Sequence, residues 1–171
     1  MIFNRCETQD IFQLSQTCSS MREVTRRYWA EVLNAKRVLQ PFFSTEGQML
    51  QFLNMLSDTG AIVSGSTALQ LFARTTFNDT DLDVYVERLC YDDALRQMNV
   101  AGFHNITQDD SKLSYVMGDS YPFVDEIERI QGLVCDSNKE KIIQIIATKG
   151  SPITAVLNFH SSKMINFLER T

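Results

Sequence analysis

No two of the four cysteines, Cys6, Cys18, Cys90 and Cys135, stand at C-x2-C spacing. That absence argues against a zinc ribbon and against a redox dithiol. Scattered thiols of this kind are expected to be reduced and partly buried. No apolar run approaches the ~18 residues of a membrane span. The opening residues lack the apolar stretch and cleavage site of a secretory leader, so the expected location is intracellular, cytoplasmic or nuclear. Excess positive charge is missing too: 16 Lys and Arg stand against 21 Asp and Glu, for a net charge of −5. Binding to long nucleic acid by bulk charge is therefore not expected. Internal repeats and low-complexity tracts are absent. What is present is 171 residues, 44% of them apolar. That suffices for one core with a small appendage and is too apolar for a disordered chain.

Glycine is absent before Gly47, and Pro41 is the one proline of that stretch. Residues 1–58 read as a helical appendage. From Met21 the apolar residues Met21, Val24, Tyr28, Val32 and Leu39 fall on one helix face, widened by Trp29, Leu33 and Val38. Arg26 and Arg27 read as its solvated side. Pro41 is expected to end this helix. A second helix is expected from Thr45, with Gln48 completing a capping box and Met49, Phe52, Leu53 and Leu56 on its buried face. Gly60 reads as its stop.

The texture changes at Ala61. Residues 61–64 read as a short strand that Gly65 breaks, and residues 66–72 as a helix. Asn78-Asp79-Thr80 is turn material. Residues 81–87 alternate, with Asp81, Asp83, Tyr85 and Glu87 on one face and Leu82, Val84 and Val86 on the other. A short helix over 92–98 closes at Gly102. Residues 103–117 suit two edge strands. Residues 127–135 and 141–148 suit a hairpin across 136–139. Ser151-Pro152 opens a last helix carrying Ile153, Val156, Leu157, Met164, Ile165 and Leu168. The fold class expected is α+β (α/β), a mixed sheet flanked by helices over 59–171 behind the helical appendage of 1–58.

One stretch carries chemistry. Gly65 lets backbone approach a ligand closely. A helix beginning at Ser66 offers N–H groups and a dipole to a phosphate, and Ser66 adds a hydroxyl. Asp81 and Asp83 stand two apart on a strand, so both carboxylates point the same way. Such a pair suits Mg²⁺, a hard cation that shares oxygen ligands with substrate phosphates. Phosphate at a helix start and metal on the next strand is apparatus for phosphoryl or nucleotidyl transfer.

Over residues 61–87 the sequence resembles the core motif of the DNA polymerase β-like nucleotidyltransferase superfamily: Gly65-Ser66, a helix, then Asp81-Leu82-Asp83-Val84-Tyr85-Val86. The resemblance implies a nucleotidyltransferase-like mixed sheet with flanking helices. It implies that Gly65 and Ser66 bind the substrate triphosphate, and that Asp81 and Asp83 are catalytic residues that hold Mg²⁺. The implied activity is metal-dependent transfer of a nucleotide from an NTP to a hydroxyl acceptor. Arg74 and Lys141 are candidates to neutralise the triphosphate. Active members carry a third carboxylate on a later strand, as metal ligand and base. The corresponding strand here, 141–147, has Gln144 at its apolar-flanked polar position. An amide accepts a hydrogen bond but is no base at neutral pH. His160, Asp125, Glu126 and Glu128 are the other residues available for that role. The alternative reading is therefore a catalytically degenerate pseudoenzyme that binds nucleotide or a protein.

The appendage carries a second resemblance, to the latter half of an F-box. Asp10, Ile11, Leu14, Ser15, Cys18, Arg22 and Trp29 fit that pattern. It implies an F-box-derived adaptor with a protein partner on the N-terminal helices. An F-box-like start joined to a Ser-Gly-Ser-Thr-Ala-Leu and Asp-Leu-Asp core resembles a group of proteins of mushroom-forming fungi.

Overall fold

The computed structural model describes residues 2–77, 80–106 and 126–158. The expected turn at Asn78-Asp79, the second edge strand, Asp125, His160 and the distal part of the last helix lie outside the described residues. Among the described residues no helix is long and apolar enough to cross a membrane. The chain divides into two compact units, Met1–Ala35 and Lys36–Thr171. The division therefore falls well before the change of texture at Ala61, and the helix that follows Thr45 belongs to the second unit.

The first unit pairs two helices, α1 (Thr8–Ser15) and α2 (Ser19–Val32), behind a 3-10 turn at Ile2–Arg5. Phe3, Ile11 and Tyr28 form its buried centre, with Leu14, Met21, Trp29 and Val32 packed against them. The Phe3 and Tyr28 rings lie 5.2 Å apart, and Tyr28 meets Trp29 edge-on at 5.3 Å. Two expectations are corrected here. Val24 is exposed, and Thr25 takes the buried place. The Thr25 hydroxyl donates to the Met21 and Arg22 carbonyls, which makes that burial tolerable. Nor does one helix run to Pro41: α2 stops at Val32, and a separate helix α3 spans Ala35–Leu39. Leu33 and Asn34 are exposed, and Leu33 is the C-cap, where the backbone leaves the helical conformation at ψ 43°. Pro41 lies in a following 3-10 turn, Gln40–Phe42.

In the second unit, α4 (Glu46–Thr59) begins as the sequence predicts. The Gln48 backbone N–H donates to Thr45 Oγ1 at 3.2 Å, and Gln48 Oε1 accepts from the Ser44 and Thr45 N–H groups. Gln48 Nε2 also donates to the Ala101 carbonyl, tying the start of α4 to the end of a later helix. Gly60 closes α4 in the left-handed conformation, φ +64°. Thr45→Ala removes one side of the box and is expected to lower stability by about 1 kcal/mol, read by urea denaturation.

A five-stranded sheet follows, of β1 (Ile62–Ser64), β2 (Leu82–Glu87), β3 (Phe103–Asn105), β4 (Ile127–Cys135) and β5 (Asn138–Thr148). Its order is β1-β2-β5-β4-β3. Only β2 and β5 run parallel; the other pairs are antiparallel. Between the strands stand α5 (Gly65–Ala73) and α6 (Tyr91–Val100), and α7 (Pro152–Leu157) follows β5. This is the expected α+β class: a mixed sheet flanked by helices, with a helical N-terminal region. The β4–β5 hairpin turns tighter than expected, with Cys135 already paired to Asn138. Ser151 precedes α7, but its hydroxyl makes no capping bond among the described residues.

Alternation decides what each sheet face holds. Leu82, Val84, Val86, Ile143, Ile145 and Ala147 are all buried on one face. On the other, Ile62, Tyr85 and Ile146 stand in register across three strands and pack on Val156 of α7. One pleat along that same face lies a polar row: Ser64, Asp83 and Gln144 in register, then Gly132. Aromatic packing adds Phe43 against Phe52 of α4 at 5.0 Å and against Phe103 of β3 at 5.8 Å.

Candidate functional site

The polar row and the start of α5 form the site. Helix α5 begins at Gly65, one residue earlier than the sequence suggests, with buried Ser64 as its N-cap. Ser66 is therefore inside the first turn, half-buried, rather than at the cap. Gly65 has φ +72°, where L side chains strain. A Cβ at Gly65 would overlap the Asp83 carboxylate, so these two residues touch only because position 65 carries none.

Asp81 precedes the first residue of β2, and Asp83 lies within it. Thr67 of α5 donates its hydroxyl to the Asp81 carbonyl at 2.8 Å, and Gln70 donates to Thr80 Oγ1 at 3.0 Å. These two bonds fix the approach to β2 against α5. Sequence reasoning missed both residues, although Thr67 stands directly after the Gly-Ser pair. Asp83 keeps some contact with solvent but is ringed by protein on most sides. Burial pushes its carboxyl from 3.8 up to about 7, and the neighbouring Asp81 carboxylate adds to the rise.

Gln144 completes the group. It is 6% exposed, sits in register beside Asp83, and donates from Nε2 to Asp81 Oδ2 at 2.9 Å. Its Oε1 is buried with no hydrogen-bond partner among the described residues. The reverse amide orientation would set that oxygen against a carboxylate oxygen with no proton between them. Gly132, on the far side of Gln144, leaves room for the Ile106 side chain: a Cβ there would stand 2.7 Å from Ile106 Cδ1. Ile106 and Ile142 thereby wall this end of the polar row with hydrocarbon.

Other candidates stand apart. Glu128 pairs with Arg88 at 3.8 Å. Its neighbours Ile127 and Arg129 register with Thr148 and Ala147, roughly 10–13 Å along β5 from Gln144. Glu126 precedes β4 at that same end, where its carbonyl accepts from the Lys149 N–H. Arg74 is the C-cap of α5, at the opposite end from Gly65. The Lys141 ammonium lies over the Phe42 ring, 5.9 Å from its centre.

The resemblance implies Mg²⁺, and the orphaned Gln144 oxygen tests whether the residues fit it. Among the described residues no three His, Cys, Asp or Glu side chains form a metal-binding group. Among the described residues the carboxylates here are two, and they repel each other. Beside them stands one neutral oxygen with unused lone pairs. Two carboxylates and an amide oxygen fit one hard divalent cation. Comparison of the chain with family models, with curated proteins and with solved structures finds no match.

Proposed function

We propose that this chain binds a nucleoside triphosphate together with one divalent cation, and does not transfer the nucleotide by three-carboxylate chemistry. The observation that carries the reading is Gln144, in register beside Asp83 with its amide on Asp81. Gln144 stands where the strand pairing would set a third carboxylate next to the other two. An amide cannot take the proton of an attacking hydroxyl, so this position supplies no base. The binding parts remain. Asp81 and Asp83 would hold the cation. The first N–H groups of α5 and the Ser66 hydroxyl suit phosphate oxygens. When bound, the cation would screen the phosphate charge and the repulsion between the two carboxylates.

The test is a titration of ATP, GTP, CTP and UTP, each with and without Mg²⁺. Magnesium-dependent binding of at least one nucleotide is expected, weakened about tenfold or more by Asp81→Ala and by Asp83→Ala. Equal binding by wild type and both variants would overturn the reading. The two carboxylates also favour the runner-up, nucleotide transfer to a hydroxyl acceptor, which predicts pyrophosphate release. For residues 1–35, exposed Phe12 on α1 favours a protein-interaction role of the kind the F-box-like pattern implies. Phe12→Asp should then abolish capture of an F-box adaptor while leaving nucleotide binding intact.

A further inference from the structure

We infer that Gln144 is the third ligand of the cation, through its amide oxygen. The inference rests on the nucleotide-and-cation reading of the same site and assigns what that reading leaves open. A buried carbonyl oxygen without a partner is costly, and native structures rarely leave one. Gln144 Oε1 is such an oxygen. It belongs to an amide whose other end is already fixed, because Nε2 donates to Asp81 Oδ2 at 2.9 Å. That bond sets the amide orientation and leaves Oε1 as the unpaired acceptor. Asp83 is the register neighbour on β2, and Gly132 is the neighbour on β4 with Ile106 above it. The hydrocarbon of Ile106 and Ile142 offers no donor to this oxygen. A hard cation between the carboxylates would satisfy it.

Ligation by an amide changes the charge of the site. Two carboxylates neutralise a single divalent cation, and a neutral third ligand adds no charge to hold another. The site would therefore take one cation per chain. A second cation, of the kind that activates an acceptor hydroxyl, would find no carboxylate of its own among the described residues.

Mn²⁺ alone, titrated into the full chain and followed by electron paramagnetic resonance, tests this. One Mn²⁺ per chain is expected for wild type. Gln144→Met removes the oxygen and should weaken Mn²⁺ binding about fivefold or more. Gln144→Glu keeps an oxygen and adds a charge, and should tighten it. A readout on the wild type needs no variant to fold: with glutamine labelled at Cδ, the Gln144 resonance should shift as Mg²⁺ is added. An unshifted resonance, or unchanged Mn²⁺ affinity in Gln144→Met, overturns the inference. If Asp83→Ala still loses Mn²⁺ in that case, the nucleotide-and-cation reading stands without it. If wild type takes up no Mn²⁺, both fall.

Discussion

Gly65→Ala is expected to lower stability by about 3 kcal/mol, some 6–12 °C in melting temperature, and, on the proposed function, to abolish nucleotide binding. Two physical costs add. At φ +72° an alanine meets the steric penalty of left-handed backbone, about 1 kcal/mol. Its methyl group also overlaps the Asp83 carboxylate and crowds Asp83 Cβ at 3.3 Å. Turning the carboxylate aside therefore does not relieve the whole contact. The strand must shift or Asp83 must leave its rotamer, at about 2 kcal/mol more. Either response moves the residue that the site depends on. A double-mutant cycle separates the terms. In an Asp83→Ala background, Gly65→Ala should cost only about 1–2 kcal/mol, because the carboxylate is gone while the backbone penalty and the crowding of the Cβ at position 83 remain. Equal costs in both backgrounds would show that Gly65 and Asp83 do not meet.

Asp83→Asn is expected to stabilise the chain at pH 8, by about 4 kcal/mol or some 8–16 °C, and to change little at pH 4. The sign follows from proton counting. The Asp83 carboxyl titrates near 7 in the folded chain and near 3.8 when unfolded. Between those values the folded state holds a proton that the unfolded state has released. Wild-type stability therefore falls as pH rises from about 4 to 7 and is flat in this group above that. Asparagine keeps the side-chain shape and carries no charge at any pH. It removes the burial penalty and the repulsion from Asp81 where both are greatest. On the proposed function Mg²⁺ would favour the ionised carboxylate, so saturating Mg²⁺ should shrink the advantage of the variant, and a chelator should restore it. Thermal melts across pH, with and without Mg²⁺, read all of this. A wild-type profile parallel to that of Asp83→Asn would contradict the buried, raised carboxyl.

Much of this architecture was legible in the residues because local chemistry dictates it. Thr45 and Gln48 stand three apart, and the cap they predict is the cap that forms. The alternation of residues 82–87 requires two distinct faces, and the sheet buries Leu82, Val84 and Val86 together. Gln144 is legible for the same reason, as the polar position inside an apolar strand. What that strand pairs with is not local. Only the parallel pairing of β2 with β5 sets Gln144 beside Asp83. The break of the long helix at Leu33 was hidden, since neither glycine nor proline marks it. The shift of the α5 start from Ser66 to Gly65 was hidden because both serines are good cap residues. Thr67 and Ile106 act across the fold, on the Asp81 carbonyl and over Gly132, and nothing in their neighbours announces either contact.

The central claim is nucleotide binding without nucleotide transfer. One measurement tests it directly: equilibrium dialysis of the full chain with α-labelled ATP, GTP, CTP or UTP and Mg²⁺, followed by assay of retained nucleotide and of free pyrophosphate. The prediction is retention of at least one intact triphosphate, lost on chelation of Mg²⁺, with no pyrophosphate above the protein-free control. Failure to retain any of the four would contradict the binding site. Retention accompanied by pyrophosphate release would contradict the role assigned to Gln144 and return the site to catalysis.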